Sequence, residues 1–170
     1  MRIFLLGFMG SGKSTLGKQL AKKLGFEYAD QDEWIEKNSG LTVGEYFTQF
    51  GEHSFREMER KAIQDLIKKD NIVISTGGGA PCFFDNIHVM NKNGITIYLK
   101  LKPEVLRSRL RYAQDSRPLI KGKTEGELLE YIQTKLADRE PYYLKANHVI
   151  ESIDLKADDL VNLLKFLEKK

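Results

Sequence analysis

Residues 7–15 read GFMGSGKST, a run that fits G-x-x-x-x-G-K-[ST], the P-loop pattern for cradling phosphates. It constrains the fold before anything else does, because such a loop works only between a buried strand and the first turn of a helix. Backbone N–H groups at a helix N-terminus have no intrahelical partner and sit at the positive end of the helix dipole. A phosphate satisfies both conditions. Gly10, Ser11 and Gly12 form the tight part of the loop, where the two glycines let the backbone approach phosphate oxygens without a Cβ clash. Lys13 brings a point charge to the β/γ oxygens, and the Ser14 hydroxyl, with Thr15 after it, opens the helix. Ser14 is the expected Mg²⁺ ligand, since Mg²⁺ prefers oxygen donors shared with phosphates. The flanks agree: residues 2–6 are a short apolar run, and residues 14–24 have helical spacing with Gly25 as a stop. Glycines needed only for a strand–turn–helix geometry would explain neither Lys13 nor Ser14.

A length of 170 residues is the size of one domain, so the chain reads as a single unit over residues 1–170. The net charge of +3 suits anionic small molecules, and the lysine pairs are scattered as solvated helix ends. No basic cluster marks one face, so nucleic acid is not an expected partner. Cys82 is the one cysteine, which excludes an intramolecular disulfide, and it follows a glycine run as a small packed residue rather than a reactive thiol. The three histidines are spread along the chain and do not suggest a structural zinc site. With no apolar stretch long enough to span a membrane and no signal peptide, a cytoplasmic location is expected. No heptad or apolar surface stripe is evident, so a monomer is expected.

Strand patterns fall at residues 2–6, 27–29, 71–75, 94–100 and 148–151. Helical patterns fall at 13–24, 32–39, 42–50, 52–69, 84–93, 103–110, 124–146 and 156–168. Short strands alternating with helices predict an α/β fold with a parallel sheet covered on both faces. Ligands in such sheets bind at the carboxyl ends of the strands. The loop after the first strand and the Gly77–Gly78–Gly79 loop both lie at that edge. Two segments break the alternation. Consecutive helices between residues 32 and 69 suggest an inserted helical subdomain. The polar segment 110–125 between two helices reads as a mobile lid.

Further candidate residues cluster around this edge. Asp30 and Asp32 follow the second strand as D-Q-D, and alternation in an extended segment would put both carboxylates on one side. One could support Mg²⁺ and the other handle an acceptor hydroxyl, although Asp32 would also make a helix cap. Arg56 and Glu59 lie three apart on one helix face. Exposed, they are solvated decoration; buried, they fix a guanidinium to receive a carboxylate. Three glycines directly past a buried strand indicate a ligand against the backbone. Arg117 in R-P-L and Arg139 in R-E-P-Y are either surface arginines or, for one that swings over the phosphates, an arginine finger.

The ordered set GFMGSGKST, DQD, GEHSFREME, STGGG, RPLI and REPYY resembles shikimate kinase over nearly the whole chain. The resemblance implies a three-layer α/β/α P-loop NTPase of the nucleoside-monophosphate-kinase type with a five-stranded parallel sheet. It implies transfer of the γ-phosphoryl group of ATP to the 3-hydroxyl of shikimate, giving shikimate 3-phosphate and ADP in aromatic amino-acid biosynthesis. Gly10, Ser11, Gly12, Lys13, Ser14 and Thr15 would hold the ATP phosphates, with Mg²⁺ on Ser14 and Asp30 in its outer shell. Asp32 would bind shikimate hydroxyls and act as base. Arg56 and Arg139 would clamp the shikimate carboxylate, Glu59 would orient Arg56, and the backbone of Gly77, Gly78 and Gly79 would contact the substrate. Arg117 would reach ATP from the 110–125 lid, and 31–60 would be the substrate-binding insertion. Lys13, Asp32 and Arg117 would carry the catalysis. An adenine-side arginine is also expected, and its place falls on Leu110, leaving Arg109 and Arg111 as candidates. The stretch 152–156, expected beside adenine, has no diagnostic residue.

Two other readings compete. Another small-molecule kinase, such as one for gluconate, would share the P-loop but not both GExxFRxxE and RPL. A P-loop nucleotide switch would need a guanine-specificity motif such as NKxD, and residues 91–94 read NKNG ahead of their strand rather than after it.

Overall fold

The computed structural model describes residues 1–113 and 118–167. Five parallel strands, β1 (Arg2–Leu6), β2 (Glu27–Asp30), β3 (Ile72–Ser75), β4 (Ile95–Lys100) and β5 (His148–Glu151), form one sheet in the order β2-β3-β1-β4-β5. β1 lies at the centre because its neighbours cover it on both edges. Ile3, Phe4, Leu5 and Leu6 are all fully buried, as expected of a parallel strand with helices on both faces.

Strand alternation divides these side chains between two cores. Ile3 and Leu5 join Val73, Ile97 and Leu99 beneath α1 (Lys13–Leu24) and α7 (Ala157–Leu167). Phe4 and Leu6 join Ile72 and Ile74 beneath α3 (Val43–Leu66) and α4 (Asn86–Asn93). Each such buried aliphatic or aromatic side chain contributes about 1.5–3 kcal/mol relative to exposure. A third core surrounds Tyr98 and Tyr143, where α5 (Pro103–Leu110) packs on α6 (Glu125–Tyr143). The α2 helix (Gln31–Ser39) packs on α3 through Ile35, Phe55 and Ala62. These layers form the α/β/α architecture expected from the alternation.

Element ends shift by up to three residues from the sequence patterns, and two shifts matter. First, the helices expected at 42–50 and 52–69 are the two halves of α3, which breaks between them at Gly51 with φ 78° and ψ 176° and ends at Leu66. That left-handed φ favours glycine. The Thr42–Glu45 capping box fixes where the first half starts. Second, β2 runs to Asp30, and the chain turns into α2 at Gln31. The D-Q-D segment is therefore not extended, and its two carboxylates are not placed by alternation.

Candidate active site

The donor side begins with a helix that no side chain caps. Gly12, with φ 94°, is the N-cap of α1, and as a glycine it offers no capping side chain. A Cβ on Gly7 would lie 2.8 Å from Ser11 Oγ and 2.9 Å from the Leu99 carbonyl oxygen. The loop is thus pressed against the end of β4. Lys13 Nζ donates to the carbonyls of Gly7 and Phe8 at 2.8 and 2.9 Å, which lays the ammonium over the loop. Ser11 Oγ is a buried polar atom with no protein partner among the described residues, which marks the loop as a place for a polar ligand.

Asp30 caps α2, and Asp32 does not. The Asp30 Oδ1 accepts the Asp32 N–H at 3.0 Å, and its Oδ2 accepts the Ser14 hydroxyl at 2.8 Å. Tyr28 OH donates to the same Oδ2 at 3.2 Å, and burial, helped by the Asp30 charge, pushes this phenol up to about 12. Ser14 and Asp30 therefore present adjacent oxygen donors at the phosphate loop. This set suits Mg²⁺, which takes one or two protein oxygens and completes its shell with phosphates and water.

A cavity of about 400 Å³ adjoins the loop, lined by Ser11, Gly12, Thr15, Gln19, Arg109 and residues 152–155. Arg109 donates to the Gly10 and Ile153 carbonyls, each at 3.3 Å. Arg111 turns away, stacking on Tyr112 at 4.4 Å and approaching Glu125 at 3.5 Å. Of the two arginines left open by the sequence, Arg109 lines the cavity. The 152–155 stretch lines it as well.

The acceptor side is organised by the three glycines after β3. A Cβ on Gly77 would lie 2.8 Å from Glu59 Oε1 and 3.2 Å from Asp32 Oδ1. On Gly78 it would lie 3.1 Å from Arg139 Nη1, with the Gly7 carbonyl and Met9 N–H of the phosphate loop at 3.6 and 3.7 Å. On Gly79 it would collide with the Arg56 guanidinium. The loop thus gathers Asp32, Glu59, Arg56, Arg139 and the P-loop within contact of three consecutive residues.

The Arg56–Glu59 pair is buried, not exposed decoration. Arg56 Nη1 donates to Glu59 Oε2 at 2.8 Å, Arg56 Nη2 donates to Glu52 at 3.1 Å, and the guanidinium lies 4.1 Å over the Phe83 ring. The Glu59 side chain is 2% exposed. Burial pushes its carboxyl up to about 7, against the opposing pull of Arg56 and with a further push from Asp32. Arg139 sits with its guanidinium 5.4 Å from the Phe8 ring centre.

Two residues here went unread in the sequence. Gln31, fully buried between the two aspartates, accepts the Gly77 N–H at 2.7 Å and donates to the Glu59 carbonyl at 2.8 Å. Tyr143 donates to the Gly78 carbonyl at 2.5 Å and stacks on Tyr98 at 4.9 Å. A polar residue that opens a helix looks solvated in a sequence, and only the bend at Asp30 turns Gln31 inward. Cys82 is half-buried, and burial pushes its thiol up to about 11, so it stays protonated near neutral pH. Arg117 lies outside the described residues. Beyond it, Ile120 is fully buried against Leu128 and Ile132.

A phosphate loop beside a glycine loop that gathers two arginines and two carboxylates, on a five-stranded parallel sheet, is the arrangement of a P-loop kinase of a small acidic molecule. A family model described as shikimate kinase matches residues 9–168. A shikimate kinase of Bacteroides thetaiotaomicron is 46% identical over 156 residues, covering 92% of this chain and 89% of the relative. A crystal structure of shikimate kinase from Bacteroides thetaiotaomicron superposes with a TM-score of 0.92 at 42% identity, covering 100% of this chain and 99% of that one. Shikimate kinase from Acinetobacter baumannii, solved in complex with shikimate, gives 0.85 at 34% identity, covering 99% and 94%. The chain belongs to the shikimate kinase family. These kinship findings do not favour the gluconate kinase alternative.

Proposed function

We propose that this chain transfers the γ-phosphoryl group of ATP to the 3-hydroxyl of shikimate, giving shikimate 3-phosphate and ADP. One observation carries the reading beyond family membership: the Gly77–Gly79 loop sets two arginines and Asp32 directly beside the phosphate loop. The Acinetobacter baumannii relative, which binds shikimate, supports the choice of acceptor.

Phosphoryl transfer depends on positioning and charge neutralisation more than on covalent work by the protein. Residues 10–15 hold the ATP phosphates, and Arg109 with residues 152–155 borders the base. Ser14, with Asp30 behind it, would hold Mg²⁺, which would supply positive charge at the phosphates. Lys13 leaves the loop carbonyls to meet the β/γ oxygens. Arg56 and Arg139 receive the shikimate carboxylate, Glu59 holds Arg56 in place, and the glycine backbone contacts the ring hydroxyls. Asp32 orients the 3-hydroxyl and accepts its proton. A substrate without the carboxylate leaves two guanidiniums unpaired, and this is the source of selectivity.

Residues 31–60 act as the substrate-binding insertion and residues 110–125 as a lid carrying Arg117 over the phosphates, so that closure excludes water. We read the protein as a cytoplasmic monomer. Among the described residues no helix is long and apolar enough to cross a membrane. Light scattering on the purified chain checks the monomer.

The decisive experiment is coupled ADP release with shikimate, quinate, gluconate and AMP at equal concentration. Shikimate is expected to stimulate release far above the others, and mass spectrometry with NMR places the phosphate on the 3-oxygen. Equal stimulation by gluconate or AMP overturns the reading.

A further inference from the structure

We infer that Gln31 is a positioning residue for the acceptor site: its side-chain amide locks the glycine loop against α3, which holds Asp32 and Glu59 in one arrangement. The inference rests on the acceptor-site reading above.

Gln31 is fully buried at the first position of α2. A buried primary amide is costly unless both ends are bonded. Here both are, and each bond crosses to a different segment. Oε1 accepts the Gly77 N–H at 2.7 Å, and Nε2 donates to the Glu59 main-chain carbonyl at 2.8 Å. One side chain thereby ties three pieces of chain: the start of α2, the second half of α3 and the loop after β3. A flipped amide would put an oxygen against the Glu59 carbonyl, so the orientation is unique.

Those three segments are the ones that carry the acceptor groups. Asp32 is the next residue in the chain, Glu59 is the partner of Arg56, and Gly77 opens the glycine loop. A Cβ on Gly77 would meet Glu59 Oε1, Asp32 Oδ1 and Gln31 Oε1 at 2.8, 3.2 and 3.5 Å, so all three side chains converge on one residue.

The bond to Gly77 also decides which polar groups the loop has left. The Gly77, Gly78 and Gly79 carbonyls accept from Ala80 N–H, Tyr143 OH and Cys82 N–H at 3.1, 2.5 and 2.9 Å. With the Gly77 N–H taken by Gln31, the loop N–H groups without such a bond among the described residues are those of Gly78 and Gly79. They lie beside Arg139 and Arg56. Gln31 thus removes one donor from the loop and leaves the Gly78 and Gly79 N–H groups, beside the two arginines, for an anionic, hydroxylated acceptor.

The test uses steady-state ADP release with ATP and shikimate varied separately, and thermal unfolding alongside. Gln31→Met keeps the length of the side chain and removes both bonds. It is expected to raise the shikimate KM about ten- to a hundredfold and leave the ATP KM within about twofold of wild type. Gln31→Glu keeps an acceptor for the Gly77 N–H but sets a carboxylate oxygen against the Glu59 carbonyl and beside the Asp32 and Glu59 side chains, so its shikimate KM should rise at least as far as that of Met. It also serves if the Met variant does not fold. An unchanged shikimate KM in both variants overturns the inference. So does a parallel rise in both KM values with a lowered Tm, which is the mark of a general structural role. Failure of the acceptor-site reading is separately visible, because the wild-type protein would then show no shikimate-dependent ADP release.

Discussion

Arg56 Nη1 donates to Glu59 Oε2 at 2.8 Å inside the protein, one helical turn apart on the half of α3 that follows the Gly51 break. The bend lets that half point its polar face at the glycine loop while its apolar face covers the sheet. Removing the guanidinium takes away half of the proposed carboxylate clamp. Arg56→Ala and Arg139→Ala are each expected to lower kcat/KM for shikimate by about 10²–10³, the cost of about 3–4 kcal/mol of charge-assisted hydrogen bonding. Arg56→Lys should not restore it, because an ammonium cannot make the bidentate contact. Steady-state kinetics decides, and unchanged KM and kcat in both alanine variants sink the clamp.

The raised carboxyl of Glu59 has a signature in pH-dependent stability. Burial lifts it from 4.5 unfolded to about 7 folded. The folded state therefore binds more protons between those values, and stability falls as pH rises through them. The contribution is fully present below pH 4.5 and gone above about pH 7, on the order of 2–3 kcal/mol. Denaturant unfolding at pH 5 and pH 8 should show wild type losing more stability than Glu59→Gln across that window. Parallel curves for the two proteins refute the assignment.

Gly79 offers a separation of stability from function. Its φ of −86° and ψ of −21° are open to any residue, so alanine there brings no backbone strain. The new methyl would instead meet the movable end of Arg56. Gly79→Ala should change Tm by no more than about 2–4 °C and raise the shikimate KM at least about tenfold, as a misplaced guanidinium costs more than a kilocalorie of binding. A large fall in Tm with an unaltered KM contradicts this.

For Asp32, replacement by asparagine preserves shape and removes the proposed base. A kcat lower by about 10²–10⁴ is expected, the usual range for loss of a general base, with the ATP KM nearly constant. Wild-type kcat in Asp32→Asn rules out a base or orienting role.

On the nucleotide side, Arg109 lines the cavity beside the P-loop and Arg111 does not. Arg109→Ala should raise the ATP KM about tenfold, through loss of stacking and hydrogen bonding, while Arg111→Ala stays within about twofold, as expected for a surface charge. Fluorescence titration with an ATP analogue measures both. Equal effects overturn the distinction.

Much of this arrangement was legible before the fold was known. The P-loop, the glycine triplet and the Arg56–Glu59 spacing each state a local geometry that their residues cannot avoid, and the structure places them at one edge of the sheet. The Asp30–Asp32 geometry was misread because alternation assumes a strand that continues, whereas the Asp30 cap starts a helix one residue later. Gln31 and Tyr143 were invisible for a related reason. Their importance lies in which main-chain groups they meet, and a partner 46 or 65 residues away leaves no mark in local spacing. Arg109 could be separated from Arg111 only by direction around a helix end, and sequence patterns are weakest at helix ends.

Each glycine of the triplet abuts a different neighbour: the acids at Gly77, Arg139 and the phosphate loop at Gly78, and Arg56 at Gly79. The loop is therefore a shared wall among chambers that other segments build. A family wishing to accept a new alcohol cannot do so by decorating this wall, since any side chain there intrudes on a neighbour already in place. The shape of each chamber is set instead by the segments that face this wall. The room on either side of the wall is thus a property of three missing methyl groups.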